Sequence, residues 1–462
     1  MASRKRRPRS RRVRIGQVSV YEHHGAHWIY FREKGKPQRR CLGKDLDEAR
    51  AVAAQVNAQL ATRQRTQYAF DAVSAAEMVR RWLHHHEHVL RSAVATRDRY
   101  RTAAAHLLRF VQEACPARHA HEVDAEQFVE YLRSVQVTPN GHANSARRRL
   151  RDKGIKFVLE VCRSLYNFAG KHRLLPPYQE NPFSALPIDR LAVEDAKAIH
   201  VFSADEEAAF LGACDNWQLS LFYTLARIGL RSGELTHLLV EDVDLEQGIL
   251  YIRNKAELGW QVKTRNLRSI PVPAEPMAVL RRIIGSRPAG VLFLRRRFGV
   301  GRPPLLGDVD GRALAGDVAN RITQRRHELE HDPSQAERRR VARGVWRDAG
   351  AIETDTIRME FMRLTRRIGL PDVTAPKCWR HTFATLLQEA NVDPLIRQLT
   401  MGHVPAGAGR SALGMTANYT HTRPEVHRQQ LQRVIDLRPE TSAIIKNRFL
   451  GTDAEGHYAE EF

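Results

Sequence analysis

The spacing of apolar residues changes along the chain, and this change limits the folds open to it. After Gln17 the stretches VSVY, HWIYFR and RRCL predict three short strands, and a helix with a one-sided apolar face follows them. Between about residues 73 and 186 the apolar residues recur at helical spacing. With 462 residues the chain is also too long for one core. We predict a multidomain protein, mainly α with small antiparallel β-sheets.

Composition shifts and turn residues predict where the domains begin and end. The first stretch, MASRKRRPRSRRVR, has eight Lys or Arg and no acid, which is typical of a disordered arm. NPFSALP resembles a linker, and Ser203 with Glu206 forms a capping box that opens the helix of the last domain. The predicted segments are a basic arm at 1–14, a three-stranded sheet plus helix at 15–62, a helical domain at 73–186, a last domain at 197–437 and a tail at 438–462.

The net charge of +22 favours a polyanionic partner, and nucleic acid is favoured over an anionic membrane or ribosome-like packing. No run approaches the roughly 18 apolar residues of a membrane span, so we expect a cytoplasmic protein without a membrane partner.

Five separated cysteines without a CxxC pair favour free thiols over zinc fingers or disulfides. In HHHEH, His84 and His88 have metal-ligand spacing, but a polar helix face is the favoured interpretation.

Four pieces of the last domain carry residues suited to chemistry. IGLRSGELTHLL leaves Arg231 at a corner between two helices, with Gly229 ending the first and Ser232 capping the second. GILYIRNKAELGWQVKTRNLRSIPVP predicts a small antiparallel sheet with Lys263 near the end of its middle strand. The other pieces are a helix, KCWRHTFATLL, and a Gly/Ala-rich stretch, LTMGHVPAGAGRSALGMTANYTH.

The helix has an apolar side and a basic side. At 100° per residue its Trp, Phe and Leu side chains share one face, and Lys377, Arg380 and His381 lie opposite, with no acid before Glu389. A solvated face would normally mix both signs of charge. We therefore expect Arg380 to point at a fixed anionic position.

Phosphoryl transfer without a metal explains this set of residues. It needs cations on the non-bridging oxygens, a nucleophile, and an acid for the leaving oxygen. Paired carboxylates that would hold Mg²⁺ are absent at motif spacing, so no metal or other cofactor is predicted. All of these groups are supplied by Arg231, Lys263, Arg380, His403 and Tyr419.

These motifs resemble the tyrosine recombinase (phage integrase) family of site-specific DNA recombinases. GLRSGEL is similar to the family's first-arginine motif, KTRNLRSIPVP to its lysine hairpin, WRHTFATLL to its second-arginine helix, MGH to its third motif and TANYTH to its nucleophile segment. The resemblance implies a mixed α/β catalytic domain of the DNA breaking-rejoining type. It also implies a helical core-site-binding domain before it and, more loosely, a small arm-binding sheet domain at the N-terminus.

The resemblance further implies the residue roles. Tyr419 would attack the scissile phosphate to form a 3′-phosphotyrosyl link, with Arg231 and Arg380 holding its oxygens. His403 would assist, and Lys263 would protonate the 5′ leaving oxygen. The family works without metal or ATP as a tetramer on double-stranded DNA, and accessory DNA-bending proteins are compatible with it. We expect integration or excision of a mobile element by a nucleoid-associated enzyme.

Three departures from the family pattern leave alternatives open. Lys377 stands where most members have histidine, but a lysine there can still donate to a phosphate, so we count it as a sixth catalytic residue. The spacing from His403 to Tyr419 is longer than usual. Residues of about 300–355 resemble an insertion, a Gly/Pro-rich loop and a charged helix, that would contact DNA or another subunit. A DNA-binding protein of the same ancestry that no longer cuts is therefore the alternative, and a type IB topoisomerase is a third reading that fits the N-terminal domain poorly.

Overall fold

The computed structural model describes residues 12–115, 117, 119–138, 146–195, 198–263, 267–298, 303–402 and 422–451. The chain divides into two compact units, residues 1–197 and 198–462. The predicted class, mainly helical with small antiparallel sheets, is confirmed. Among the described residues, no helix has the length and apolar character needed to cross a membrane.

An antiparallel sheet with one helix opens the first unit. Its strands lie in chain order and are β1 (Val13–Ile15), β2 (Val18–His23), β3 (Ala26–Glu33) and β4 (Lys36–Gly43). Helix α1 (Leu46–Ala61) buries Ala49, Ala53 and Val56 in the same core as alternate residues of β2 and β3. Period-two alternation in the strands and helical spacing in α1 therefore bring their apolar faces together.

The prediction of three strands is wrong, because β1 adds a fourth. Val13 pairs with Val20 and Ile15 with Val18, and both β1 side chains pack against the core of the sheet. Strand β1 begins inside the segment predicted as a disordered arm, residues 1–14, and residues 1–11 of that arm lie outside the described part. Two apolar residues among arginines are too weak a pattern to predict a strand, since only pairing with β2 makes it visible.

Helices make up the rest of the first unit. They are α2 (Ala75–His84), α3 (Val94–Glu113), α4 (Ala125–Ser134), α5 (Asp152–Lys171) and α6 (Pro182–Ala185), with a two-residue pair, β5 (Gln136–Val137) and β6 (Arg148–Arg149), between α4 and α5. The apolar residues predicted for this region, such as Leu107, Cys162 and Leu165, are buried in one core. The assignment of the sheet and the helices to separate DNA-binding domains stays a prediction.

The segment NPFSALP is not an exposed linker. It forms α6, in which Asn181 caps the helix and Phe183 is fully buried. The Phe183 ring lies 4.8 Å from that of Tyr166 on α5, measured between ring centroids. The two prolines led to the linker prediction, but proline is also favoured in the first turn of a helix.

The histidine cluster lies on α2 and the irregular turn that follows it. The rings of His84 and His88 are 4.3 Å apart between centroids. Within the described ranges, no group of three or more His, Cys, Asp or Glu side chains could hold a metal ion.

The second unit contains one small sheet and eleven described helices. The strands, in order across the sheet, are β7 (Val243–Asp244), β8 (Ile249–Ile252) and β9 (Arg268–Pro271). The helices are α7 (Ala204–Gly212), α8 (Asn216–Ile228), α9 (Ser232–Leu235), α10 (Ala274–Ile284), α11 (Gly311–Leu329), α12 (Gln335–Asp348), α13 (Thr354–Arg367), α14 (Lys377–Glu389), α15 (Pro394–Met401), α16 (Pro424–Asp436) and α17 (Pro439–Ile445). The predicted capping box of Ser203 and Glu206 is confirmed at the start of α7.

Aromatic side chains fix α14 in the main core of this unit. Trp379 stacks on Phe202 with ring centroids 4.2 Å apart, and it meets Phe210 edge-on at 5.0 Å. Phe383, Leu386 and Leu387 are buried on the same side, as their spacing predicts. The opposite, basic side of α14 is therefore held in a defined direction.

The insertion forms two helices, and the prediction of a loop with one charged helix is wrong. Helices α11 and α12 pack as an antiparallel pair over a small core of their own, to which Leu239, Leu258 and Val291 of the main fold contribute. Leu314, Val318 and Trp346 supply the buried face of the pair. The many charged residues of α11 hid its helical period, because few apolar positions mark the buried side.

Residues 438–451 are part of the fold and not a tail. Ile445, Phe449 and Leu450 are buried in the main core, and Arg448 donates to the carbonyl oxygens of Gly212 and Cys214, both at 2.6 Å. Residues 452–462 lie outside the described part.

Replacing Phe449 by Ala should therefore lower the free energy of unfolding by about 3–5 kcal/mol, since it leaves a cavity in the core. Chemical denaturation followed by tryptophan fluorescence measures this. Met359→Ala is the matched control, because Met359 is 60% exposed; it should change stability by less than about 0.5 kcal/mol. If Phe449→Ala changed the free energy of unfolding as little as Met359→Ala does, residues 438–451 would not contribute to the stability of the fold.

Candidate active site

A sharp corner between α8 and α9 positions Arg231. Gly229 ends α8 with φ +67°, the left-handed conformation that L-residues avoid. A Cβ at this position would come within 2.2 Å of the Phe383 ring, so no larger residue fits. Arg231 itself takes the N-cap position that was predicted for Ser232. The corner thus presses against α14 while Arg231 projects from it.

A buried carboxylate, Glu234, holds two arginines. Its Oε1 accepts from Arg231 Nη1 at 2.7 Å, and its Oε2 accepts from Arg268 Nη2 at 2.7 Å. Arg268 Nη1 also donates to Oε1 at 3.1 Å, so this pair is bidentate. Arg268 Nε donates to the Thr400 carbonyl at 3.0 Å. The carboxylate therefore joins α9 to the helix corner and to β9, and Arg268 extends the connection to the end of α15.

Arg380 of α14 extends towards the corner that carries Arg231. Its Nη1 donates to the Gly229 carbonyl oxygen at 2.6 Å, and its Nη2 donates to the carbonyl oxygen of Met401. The two carbonyls fix the plane of the guanidinium, which is half-buried. Arg231 and Arg380, predicted to act on one phosphate, therefore lie in the same region of the second unit.

The charges of this group shift one another's pKa values. Burial raises the pKa of Glu234, but the hydrogen bond and charge of Arg268, and then the hydrogen bonds of Arg231, outweigh it and bring the pKa to about 2. Burial, followed by the positive charge of Arg231, lowers the pKa of Arg380 to about 10. Both groups are therefore ionised near neutral pH. The excess of positive charge suits an anionic ligand.

Two further residues lie on the basic side of α14. Lys377 is the first residue of the helix and is exposed. His381 is partly buried, and burial, with the charges of Lys377 and Arg380, lowers its pKa. A lowered pKa favours a neutral imidazole at neutral pH.

Lys263 lies outside the strands, so its predicted place near the end of the middle strand is wrong. Strand β8 ends at Ile252, and Lys263 is exposed in the connection to β9. A paired segment within this connection joins Lys255 to Trp260 by two backbone hydrogen bonds of 3.0 Å. The irregular turn around Leu258 interrupts the alternation that a longer strand requires.

His403 and Tyr419 lie outside the described residues. The chain that leads to His403 is described as far as Gly402, and its Met401 carbonyl is the one that accepts from Arg380. The roles of all six predicted site residues, Lys377 included, remain predictions.

Sequence reasoning missed Arg268 as part of this site. Its side chain is only 5% exposed, although arginine normally lies at the surface. In β9 it lies two residues before the buried Ile270 and so on the same face of the strand. A charge at an inward position of a strand was the signal that could have found it.

Comparison with known proteins identifies the family. Residues 200–425 match the phage integrase family. Residues 200–425, just under half of the chain, therefore form a phage integrase domain. The integrase segment thus begins just before α7 and ends within α16.

A curated relative and two solved structures are similar to this chain. It is 22% identical over 268 residues to tyrosine recombinase XerC of Thermodesulfovibrio yellowstonii, a match that covers 57% of this chain and 69% of that one. A Tn1549 transposon integrase in complex with a circular intermediate DNA matches with a TM-score of 0.48 and 17% identity, over 79% of this chain and 100% of that one. A lambda integrase tetramer bound to a Holliday junction matches with a TM-score of 0.46 and 14% identity, over 83% and 95%.

Replacing Glu234 by Gln should destabilise the protein by about 3–5 kcal/mol, because it leaves buried guanidiniums without their counter-charge. The free energy of unfolding in urea measures this effect. Glu389→Gln on the exposed end of α14 is the control and should be nearly neutral. If the two variants unfold alike, the carboxylate is not what balances the arginines.

We expect the folded protein to lose stability in mild acid because of the buried His427 on α16. It is buried with Nε2 2.7 Å from Thr400 Oγ1, and burial lowers its pKa to about 4. An unfolded histidine has a pKa of about 6.5, so as the pH falls from about 6.5 towards 4 the unfolded state binds the proton first and stability is lost.

His427→Gln keeps an N–H donor without titrating near these pH values. It should make the stability change between pH 7 and pH 4.5 smaller by about 2 kcal/mol, as measured by urea unfolding at each pH. His327→Gln, at an exposed position, should leave that change as it is in the unsubstituted protein. A His427→Gln profile that matches the unsubstituted one would contradict the assignment.

Proposed function

We propose that this integrase is a site-specific tyrosine recombinase that cuts and rejoins double-stranded DNA. Its biological role in this proposal is the integration or excision of a mobile element at the nucleoid. The observation that carries the proposal is the meeting of Arg231 and Arg380, from motifs about 150 residues apart, beside one buried carboxylate. The family match supplies the reaction class for this pair of cations.

In the proposed reaction Tyr419 is the nucleophile. Its phenol gives up its proton to solvent as the oxygen bonds to phosphorus and the bond from phosphorus to the 5′ oxygen breaks, which leaves a 3′-phosphotyrosyl link. Arg231 and Arg380 bind the non-bridging oxygens, where negative charge grows in the transition state. His403 and Lys377 would contribute further hydrogen bonds to the same phosphate.

Lys263 is the proposed acid for the leaving oxygen. An ammonium Nζ–H transfers its proton to the 5′ oxygen as the phosphorus–oxygen bond breaks, so that a neutral hydroxyl leaves. Rejoining reverses the transfer with the 5′ hydroxyl of another strand. The energy of the phosphodiester bond is kept in the phosphotyrosyl link, so neither ATP nor a metal ion is required.

The number of DNA strands that must be cut suggests how many chains assemble. Recombination of two duplexes breaks four strands, and each chain would supply one nucleophile, Tyr419. We infer a homotetramer on two DNA sites, and the lambda integrase named above is a tetramer on a Holliday junction. The net charge of +22 supports DNA affinity through many phosphate contacts.

A suicide substrate tests the reaction. A nick close to the scissile phosphate releases a short fragment, so covalent protein–DNA accumulates and is counted on a denaturing gel. The unsubstituted integrase should form a 3′-linked adduct in EDTA with DNA that carries its recombination site. Tyr419→Phe should form none, because it lacks the nucleophilic oxygen.

Arg380→Ala separates catalysis from binding. It should lower the cleavage rate by at least about 100-fold, as expected for a lost contact to transition-state charge, while DNA affinity falls only slightly because many other cations contribute. Cognate binding without an adduct from the unsubstituted protein would favour the alternative, a DNA-binding protein of the same ancestry that no longer cuts. Loss of binding together with cleavage would make Arg380 structural.

A further inference from the structure

The helical pair formed by α11 and α12 lies against the connection that carries Lys263. Trp346 on α12 donates from Nε1 to the Leu258 carbonyl oxygen at 3.0 Å, and this bond is buried. Leu258 is itself buried in the core of the helical pair. The insertion therefore packs directly on the irregular turn between β8 and β9.

A second contact follows one residue later. Gly259 has φ +66°, and a Cβ built on it would come within 2.6 Å of the Ala342 Cβ on α12. Only glycine lets the turn approach the helix this closely. The two contacts hold both sides of one peptide unit, between Leu258 and Gly259.

A histidine ring links the same turn to the arginine site. His237 stacks on Trp260 with centroids 5.0 Å apart and planes 13° apart, and it meets Trp346 edge-on at 4.8 Å. Its Nδ1 lies 2.8 Å from the Gly233 carbonyl oxygen in α9. Burial lowers the pKa of His237 to about 4, so the ring is neutral and fits between two indoles.

Contacts of the residues between this turn and Lys263 fix the backbone from which Lys263 extends. Val262 N–H donates to Asn254 Oδ1 at 2.9 Å, and the Val262 side chain is buried in the main core. Lys255 Nζ lies 2.7 Å from Asp242 Oδ2, which ties the start of the turn to the main fold. Lys263 is the next residue after Val262, so its Cα starts from a fixed point while its amine is exposed.

We propose that the insertion is a brace that positions Lys263, with Trp346 as the positioning residue. The inference rests on the proposed function, because it matters only if Lys263 delivers the proton to the 5′ oxygen. A lysine side chain is long and flexible, so catalysis depends on where its backbone is held. Loss of the Trp346 bond would leave Leu258 without its partner and loosen the turn from which Lys263 extends.

The test uses two nicked DNA substrates that carry the recombination site, one ordinary and one with sulfur replacing the bridging 5′ oxygen. In the second, the tyrosine–phosphorus bond forms as the phosphorus–sulfur bond breaks. The leaving thiolate needs no proton, since a thiol has a pKa of about 8.5. Any variant that fails only in proton delivery should therefore recover on the sulfur substrate.

Trp346→Phe should slow cleavage of the ordinary substrate roughly 10-fold or more, as a misplaced catalytic group does, and should cleave the sulfur substrate within about 3-fold of the unsubstituted rate. Trp217→Phe is the matched control. It removes an equivalent indole bond, from Nε1 to the Leu294 carbonyl at 2.9 Å, elsewhere in the same unit. This control should cleave both substrates like the unsubstituted protein.

Lys263→Ala separates the two proposals. If it is not rescued by sulfur, Lys263 is not the acid and the proposed mechanism fails at that step. If Lys263→Ala is rescued but Trp346→Phe is slow on both substrates, or fast on both, the brace is rejected while the mechanism stands. A Trp346→Phe variant that loses DNA affinity while its bound complex cleaves normally would instead make the insertion a DNA contact.

A second pair of variants guards against simple misfolding. Gly259→Ala should reproduce the Trp346→Phe behaviour, because its methyl group would clash with Ala342. Adding Ala342→Gly removes that clash and should restore part of the ordinary-substrate rate, although the backbone strain at residue 259 remains. No recovery in the double variant would mean that contact with α12 is not what places the turn.

Discussion

Three guanidinium groups, those of Arg231, Arg268 and Arg380, lie near one another in a partly buried region of the second unit, where water screens their repulsion poorly. Glu234 makes this arrangement stable by accepting hydrogen bonds from two of them. One carboxylate does not cancel three positive charges. The remaining charge is what an incoming phosphate would neutralise, so the electrostatics that cost stability in the isolated chain favour binding of the proposed substrate.

The geometry of this group depends on packing that is remote from any charge. The stacking of Trp379 on Phe202 sets the rotation of α14 and so directs Arg380. The close approach of Gly229 to Phe383 brings the corner carrying Arg231 against the same helix. Apolar contacts thus determine the positions of the cations, since the free energy of burying these rings exceeds what an exposed ion pair supplies.

Local patterns were sufficient for features that depend on neighbours in sequence. The apolar face of α14, the capping box at Ser203 and the end of α8 at Gly229 were all predicted from residues within one or two turns. Features that depend on distant partners were missed. Strand β1 forms because Val13 pairs with Val20. Residues 438–451 join the fold because Phe449 is buried in the main core. The Arg268 side chain points inward because it donates to the buried Glu234 carboxylate. Each of these needs a contact that no single stretch of sequence contains.

The insertion shows how a segment outside the family motifs can still bear on them. Its helices bury their apolar faces in a small core that includes Leu239, Leu258 and Val291 of the main fold, so part of their stability comes from this packing. In return, Trp346 and the ring of His237 fix a turn that would otherwise have few buried contacts. His237 follows Glu234 by three residues, so the turn before Lys263 lies next to the helix that carries Glu234. In the proposed brace, a change in α12 would loosen this turn, while hydrogen bonds to Glu234 and to the Gly229 and Met401 carbonyls would still hold the arginines.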